Sequence, residues 1–310
     1  MLSGISLKWI PFLLFTFLQG YLGHRFFAEK TCENLIRGGS IQFFGSTSGR
    51  EKFGSLVERV NKLVGDLRVD RLKIYIVKEQ PANRSFLFYG RLFAGAGEIN
   101  SEPEKTRTIF VHEFAHAIFE NHFVVFNGDK RLTHTQFLKL LITSPTPELL
   151  KQMEYIYAYT ETFADLVAIL DAGDPSVVPR AHGFVSAAEL GLIEKSLTEE
   201  QLNDHKYRPL DFTALLNFRD WDEFMAKLAS QPHFDFQKRY KQIAPVRGVL
   251  WRLYGQYATH EQVPTLLQAY LQAASEHLMY VSTREGLTYA EINQRFLQIL
   301  MQKIRPLRPD

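Results

Sequence analysis

The chain has 310 residues, 45% of them hydrophobic and 23% charged, an ordinary globular composition with room for one large domain or two modest ones. With 36 basic and 34 acidic residues the net charge is +2, so nothing points to nucleic acid or to a strongly acidic partner. The single cysteine, Cys32, excludes an intramolecular disulfide and a cysteine-based zinc cluster.

The chain opens on MLSGISLKWIPFLLFTFLQGYLG, residues 1–23. Its apolar run, Trp9 to Leu18, is shorter than the roughly 20 residues that cross a bilayer. It suits the apolar region of a secretory signal, although the LQG and YLG triplets make poor cleavage sites. The expectation is an exported protein, periplasmic, cell-envelope or secreted, anchored through residues 5–23 if that segment is retained. Residues 24–50, ending in RGGSIQFFGSTSGR, read as a loosely held lead-in.

From residue 51 the pattern is regular. EKFGSLVERVNKLVGDL spaces Phe53, Leu56, Val57, Val60 and Val64 as one helix face. RLKIYIVKE alternates like a strand, and SFLFYGRLFAGAGEIN reads as strand, turn and strand. Ser101 and Glu104 fit a capping box, with Pro103 in the first turn of a helix that runs to about Phe123. LTHTQFLKLLITS is a short helix. Thr146 and Pro147 open a long one that ends at Gly173. Beyond it, segments such as VRGVLWRLYGQYA, VPTLLQAYLQAASEHLMYV and TYAEINQRFLQILMQKI carry helical spacing. The fold class expected is α+β, with 51–175 as a core and 176–310 as a helical subdomain completing a cleft.

The helix containing TIFVHEFAHAIFENH is apolar on nearly every side, yet His112, Glu113 and His116 interrupt its middle. Residues four apart lie one above the other, so His112 and His116 share a face and Glu113 stands beside it. This H-E-x-x-H arrangement supplies two zinc ligands and a general base. Its bland alternative is a pair of core histidines bonded to backbone carbonyls. The second long helix carries YTETFADLVAIL. Its row Leu149, Met153, Tyr157, Glu161, Asp165, Ile169 is apolar at both ends, with two carboxylates one turn apart between them. Glu161 is placed to be a third ligand, and Asp165 to accept the free N–H of a ligating histidine. Here the alternative is a solvated acidic patch.

Together, VHEFAHAIF and the downstream ETFAD resemble the gluzincin branch of the zincin metallopeptidases, over roughly residues 70–172. The resemblance implies a zincin-like fold, in which a small mixed sheet packs on a buried zinc-site helix and a mostly helical C-terminal region follows. It also implies Zn2+ held by His112, His116 and Glu161, with Glu113 as base and Asp165 partnering His112. The 45 residues between His116 and Glu161 are more than compact members have, and no third histidine of the metzincin kind follows His116.

The activity expected is an exported zinc metallopeptidase acting on a peptide or protein. Hydrolysis of a non-peptide or cell-wall amide is the alternative, as is a non-catalytic envelope protein on the same scaffold. An oxyanion donor is sought among His205, Tyr207, His233, Tyr240 and Arg247, with His233 and Arg247 favoured. His122 and His134 read as surface residues, off the ligand row.

Overall fold

The computed structural model describes residues 34–35, 40–45, 47–88, 90–128, 130–174, 177–181, 243, 246, 250 and 262–304. The N-terminal signal or anchor and the expected helix VRGVLWRLYGQYA, except Val246 and Leu250, lie outside the described residues. Among those described, no helix is long and apolar enough to cross a membrane.

The architecture is a small mixed sheet with many helices. Strand β1 (Asn34–Leu35) pairs antiparallel with β2 (Ser40–Gly45), which runs parallel to β3 (Arg71–Val77). Helix α1 (Thr47–Val64) makes the crossover between β2 and β3, as a parallel connection requires. Strand β5 (Arg91–Gly95) continues parallel to β3, and β4 (Phe86–Phe88) folds back antiparallel along its edge, giving the order β1-β2-β3-β5-β4. Part of the expected lead-in is therefore built into the sheet. Residues 40–45 form an inner strand, and α1 begins at Thr47 rather than at Glu51. Gly45 is what makes this tight entry feasible: its φ is +101°, and a Cβ there would collide with the Ile76 carbonyl.

The sheet is two-faced. Ile41, Phe43, Leu72, Ile74, Ile76, Leu92 and Ala94 are buried in the main core. The other face carries a ladder of rings on directly paired residues. Phe44 stacks on Tyr75 at 4.8 Å between centroids, Tyr75 on Phe93 at 5.1 Å, and Phe93 on Phe86 at 4.8 Å. Cross-strand aromatic pairs of this kind stabilise register.

Helix α2 (Pro103–His122) lies against the core face, with Phe110 on Phe53 of α1 at 4.5 Å. Its N-cap is Glu102, without a side-chain cap, and Ser101 turns its hydroxyl to the Glu98 carbonyl, so the expected capping box does not form. Pro103 at the first helical position, where an N–H would go unused, supplies the start instead. A hairpin of β6 (Val124–Asn127) and β7 (Lys130–Thr133) follows, turning at Gly128, whose φ is +59°.

Helix α3 (His134–Thr143) carries a capping box between Thr133 and Gln136. Helix α4 (Pro147–Ala172) begins at an N-cap by Thr146 and ends on Gly173 in the left-handed region. The short α5 (Val177–Ala181), then α6 (Val263–Ser282) and α7 (Tyr289–Ile304), complete the described elements. Helix α4 is buried along most of its length and packs on α2 through Phe119 and Phe163, 5.7 Å apart. Three of the helices are locked together electrostatically. Asp171 of α4, almost fully buried, takes both Nε and Nη2 of Arg59 from α1 at 2.6 Å and Nε of Arg107 from α2 at 3.1 Å.

Candidate metal centre

Helix α2 is largely buried because Ile109, Phe110, Val111, Phe114, Ala115, Ile118 and Phe119 surround most of its axis. Between Thr108 and Glu120 every side chain is buried except those of Glu113, His116 and Glu120, which are half-buried. Spacings of three and four keep that trio within about 60° of arc on a helix of 3.6 residues per turn. Solvent thus reaches α2 along one narrow stripe, and the histidine pair lies on its margin.

Two helices aim polar atoms at one point. His112 Nε2 and His116 Nε2 are 3.1 Å apart. Glu161 Oε2, from α4, lies 3.4 Å from the first and 3.8 Å from the second. A ligand atom of Glu113 lies within 4.8 Å of one from each histidine. The His112 side chain is 4% exposed and that of Asp165 1%, so their contact is shielded from water. In it His112 Nδ1 stands 2.8 Å from Asp165 Oδ1. An ionised Asp165 could only accept from Nδ1, which would leave Nε2 to present a lone pair toward Glu161. On His116, Nδ1 is 2.8 Å from the Thr160 hydroxyl. If that nitrogen donates to Thr160, the second Nε2 is a lone pair as well.

With both imidazoles protonated at Nδ1, three electron-pair donors would converge at this point, the donor set of a cation site. The spacing can be tested against zinc. Tetrahedral zinc with bonds of about 2.0–2.1 Å separates its ligand atoms by about 3.3 Å. The observed 3.1, 3.4 and 3.8 Å bracket that value. The donor set of two imidazoles and one carboxylate, with an outer partner on each imidazole, also suits zinc. The residues present therefore fit the metal.

Compared with known proteins, the chain matches no family model, no curated protein and no solved structure.

The structure brings together His112, Glu113, His116, Glu161 and Asp165 from the sequence reading. His233 and Arg247, with His205, Tyr207 and Tyr240, lie outside the described residues. Thr160 was missed, although its place directly before Glu161 puts it beside the ligand row. His134 is not a surface residue. It is buried at the start of α3, where burial pushes its imidazole down to about 4. His122 is half-buried, with Nε2 3.3 Å from the Arg68 carbonyl. The hairpin β6–β7 folds the chain back beside the end of α2, which places His134 near Glu120.

Behind the site, α4 is fixed by a neutral histidine. His277 Nε2 is 2.9 Å from the Ile292 carbonyl, which can only accept, so Nε2 carries the proton. Nδ1 then accepts from the Tyr159 hydroxyl at 2.7 Å. Tyr270 donates to the Tyr159 carbonyl at 2.9 Å. Burial holds His277 neutral, with its pKa down at about 3, and raises the Tyr159 phenol well above its ordinary value. Tyr159 stands two residues before Glu161, so this network sets the rotation of α4 that turns Glu161 and Asp165 toward α2.

Proposed function

We propose that the chain is a zinc-dependent hydrolase of the zincin type that cleaves amide bonds, with peptides as its substrates. The observation that supports this most is the convergence of His112, His116 and Glu161 at spacings suited to tetrahedral zinc, with Glu113 alongside on the accessible stripe. Bound zinc would polarise the substrate carbonyl and lower the pKa of a water.

The chain's own residues do the rest. Asp165 and Thr160 hold the two imidazoles in place from behind, as outer partners of metal-ligating histidines do. Glu113, half-buried and free of ligand duty in this scheme, takes the proton from the attacking water and passes it to the leaving amine. The apolar wall of Phe110, Phe114 and Ile118 keeps bulk water away from the other sides of α2. His233 and Arg247 remain the proposed oxyanion donors. Export through the N-terminal segment, with the protein in the periplasm, envelope or medium, belongs to the same proposal.

The test is zinc per chain by elemental analysis, beside peptide hydrolysis. The parent is expected to hold about one zinc and His116→Ala none. Glu113→Gln should keep its zinc and lose about 10²–10⁴-fold in kcat. A parent chain that takes up no zinc after reconstitution would end the proposal, and full turnover by zinc-loaded Glu113→Gln would remove Glu113 as base.

A further inference from the structure

The outer face of the sheet carries one sign of charge. The alternation that buries Leu72, Ile74 and Ile76 in the core turns Arg71, Lys73 and Tyr75 the other way. On β5 it turns Arg91 outward with Phe93, and Arg91 is the direct neighbour of Lys73 in the parallel register. Arg71 and Lys73 are exposed and Arg91 is half-buried. Such positions lie about 5 Å apart between strands and about 7 Å apart along one strand. Among the described residues, none of the three cations has a carboxylate within ion-pair distance. Strands β2 to β5 contain no Asp or Glu, and Asp70, beside Arg71 in the chain, is paired with Arg68 at 3.5 Å.

This grouping opposes stability, because like charges directly opposite on one face repel. It is not the protection that sheet edges need against strand addition, since β3 and β5 are interior strands. Solubility alone is served better by mixed signs, which avoid the repulsion. Three cations held level on a sheet without an acid complement an anionic surface. Beside them runs the aromatic row, in which Tyr75 and Phe86 are half-buried. Rings next to cations suit the headgroup region of a bilayer. Chain length favours a bilayer over a soluble polyanion. On the export reading residues 5–23 meet a membrane, and β1, the edge strand of this same sheet, begins at Asn34. The residues between reach about 40 Å at most.

We propose that this face of the sheet docks on an anionic lipid bilayer through Arg71, Lys73 and Arg91. Helices α1 and α2 pack on the opposite face, so docking turns the histidine pair away from the membrane. The proposal takes its setting from the export reading and uses nothing of the zinc reading.

The test is co-sedimentation of the full chain with vesicles of phosphatidylcholine alone or with about one-third phosphatidylglycerol. Binding through the apolar N-terminal segment contributes to both, so the difference between them reports the charged face. At low salt the anionic vesicles are expected to bind on the order of 100-fold better, about fivefold for each cation. About 0.5 M sodium chloride should remove the preference. The triple variant Arg71→Gln, Lys73→Gln, Arg91→Gln should lose it. A control triple of exposed lysines elsewhere, Lys62→Gln, Lys130→Gln, Lys139→Gln, reaches the same net charge and should keep it. Each single substitution on the face should cost about fivefold, so the proposal stays decidable if the triple fails to fold. Lys73→Gln should also unfold at a temperature no lower than the parent, because it relieves the repulsion from Arg91.

Equal binding to both vesicles, a preference that survives the face substitutions, or one lost equally in the control triple would overturn the proposal. Release from the vesicles by RNA at equal phosphate concentration would also overturn it, in favour of nucleic acid as the partner. None of these outcomes bears on zinc content or on Glu113, so failure here and failure of the hydrolase reading are separate results.

Discussion

At the scale of single residues, the chemistry of the centre depends on which atoms present lone pairs. Asp165 is placed to decide this for His112, because an ionised carboxylate 2.8 Å from Nδ1 would keep the proton there. Replacing it with asparagine keeps the shape and removes the charge. Zinc affinity, measured by competition with a chelator, is expected to fall about 10–100-fold in Asp165→Asn. Thr160→Val should weaken it less, since a neutral hydroxyl contributes a weaker hydrogen bond than an ionised group. Unchanged affinity in Asp165→Asn would mean that the carboxylate does not orient the imidazole. The residues of this centre were legible in the sequence because helical spacing alone puts His112 above His116 and Glu161 above Asp165. His134 was not legible, since Lys130 and Arg131 precede it and only the tertiary packing buries it.

At the scale of elements, α4 was legible end to end. Thr146, Pro147 and Gly173 mark its boundaries by cap and left-handed turn chemistry, which local sequence determines. Strand β2 was hidden because Gly38 and Gly39 lead into it, and its pairing with β3 depends on residues 31 positions away. The hairpin β6–β7 carries a turn signal at Asn127–Gly128 but only four residues in each strand, too few for alternation to stand out. The Tyr159–His277 bond joins α4 to α6 and likewise has no local signature. Tyr159→Phe leaves His277 Nδ1 buried without its donor, so an unfolding free energy lower by about 1–3 kcal/mol is expected from urea titration. Tyr270→Phe removes only a second donor to a helical carbonyl and should cost less. Equal losses in the two variants would contradict this ordering.

At the scale of the whole molecule, the buried titratable groups set how stability responds to pH. His277 sits at about 3 and His134 at about 4, against an ordinary 6.5. Below pH 6.5 the unfolded chain therefore takes up protons that the native chain refuses, and stability falls on acidification until those lower values are passed. Glu120 acts with the opposite sign. Its carboxyl is at about 7 in the fold against 4.5 ordinarily, so its contribution is fully present below 4.5 and is lost as pH rises through 7. Two histidines outweigh one carboxyl between these limits, so the thermal midpoint should drop as pH is lowered from 6.5 to 4.5. His277→Gln should flatten that drop and Glu120→Gln should steepen it. A midpoint that rises on acidification would show that other groups dominate.

The clamp at Asp171 has a consequence for how the molecule breathes. It joins α1, α2 and α4 through residues 112 and 64 positions apart in the chain, and the middle of α2 is sealed within that trio. No local fraying can lift α2 out, because both arginine bridges and the phenylalanine contacts must part together. Amide hydrogens from Phe110 to Phe119 should therefore exchange with deuterium only when the whole chain opens, at a free energy equal to that of global unfolding. Helix α3, which buries only His134 and Phe137 and leaves Ile142 half in water, should exchange through local opening well before them. The two histidines thus sit in the part of the protein that moves last.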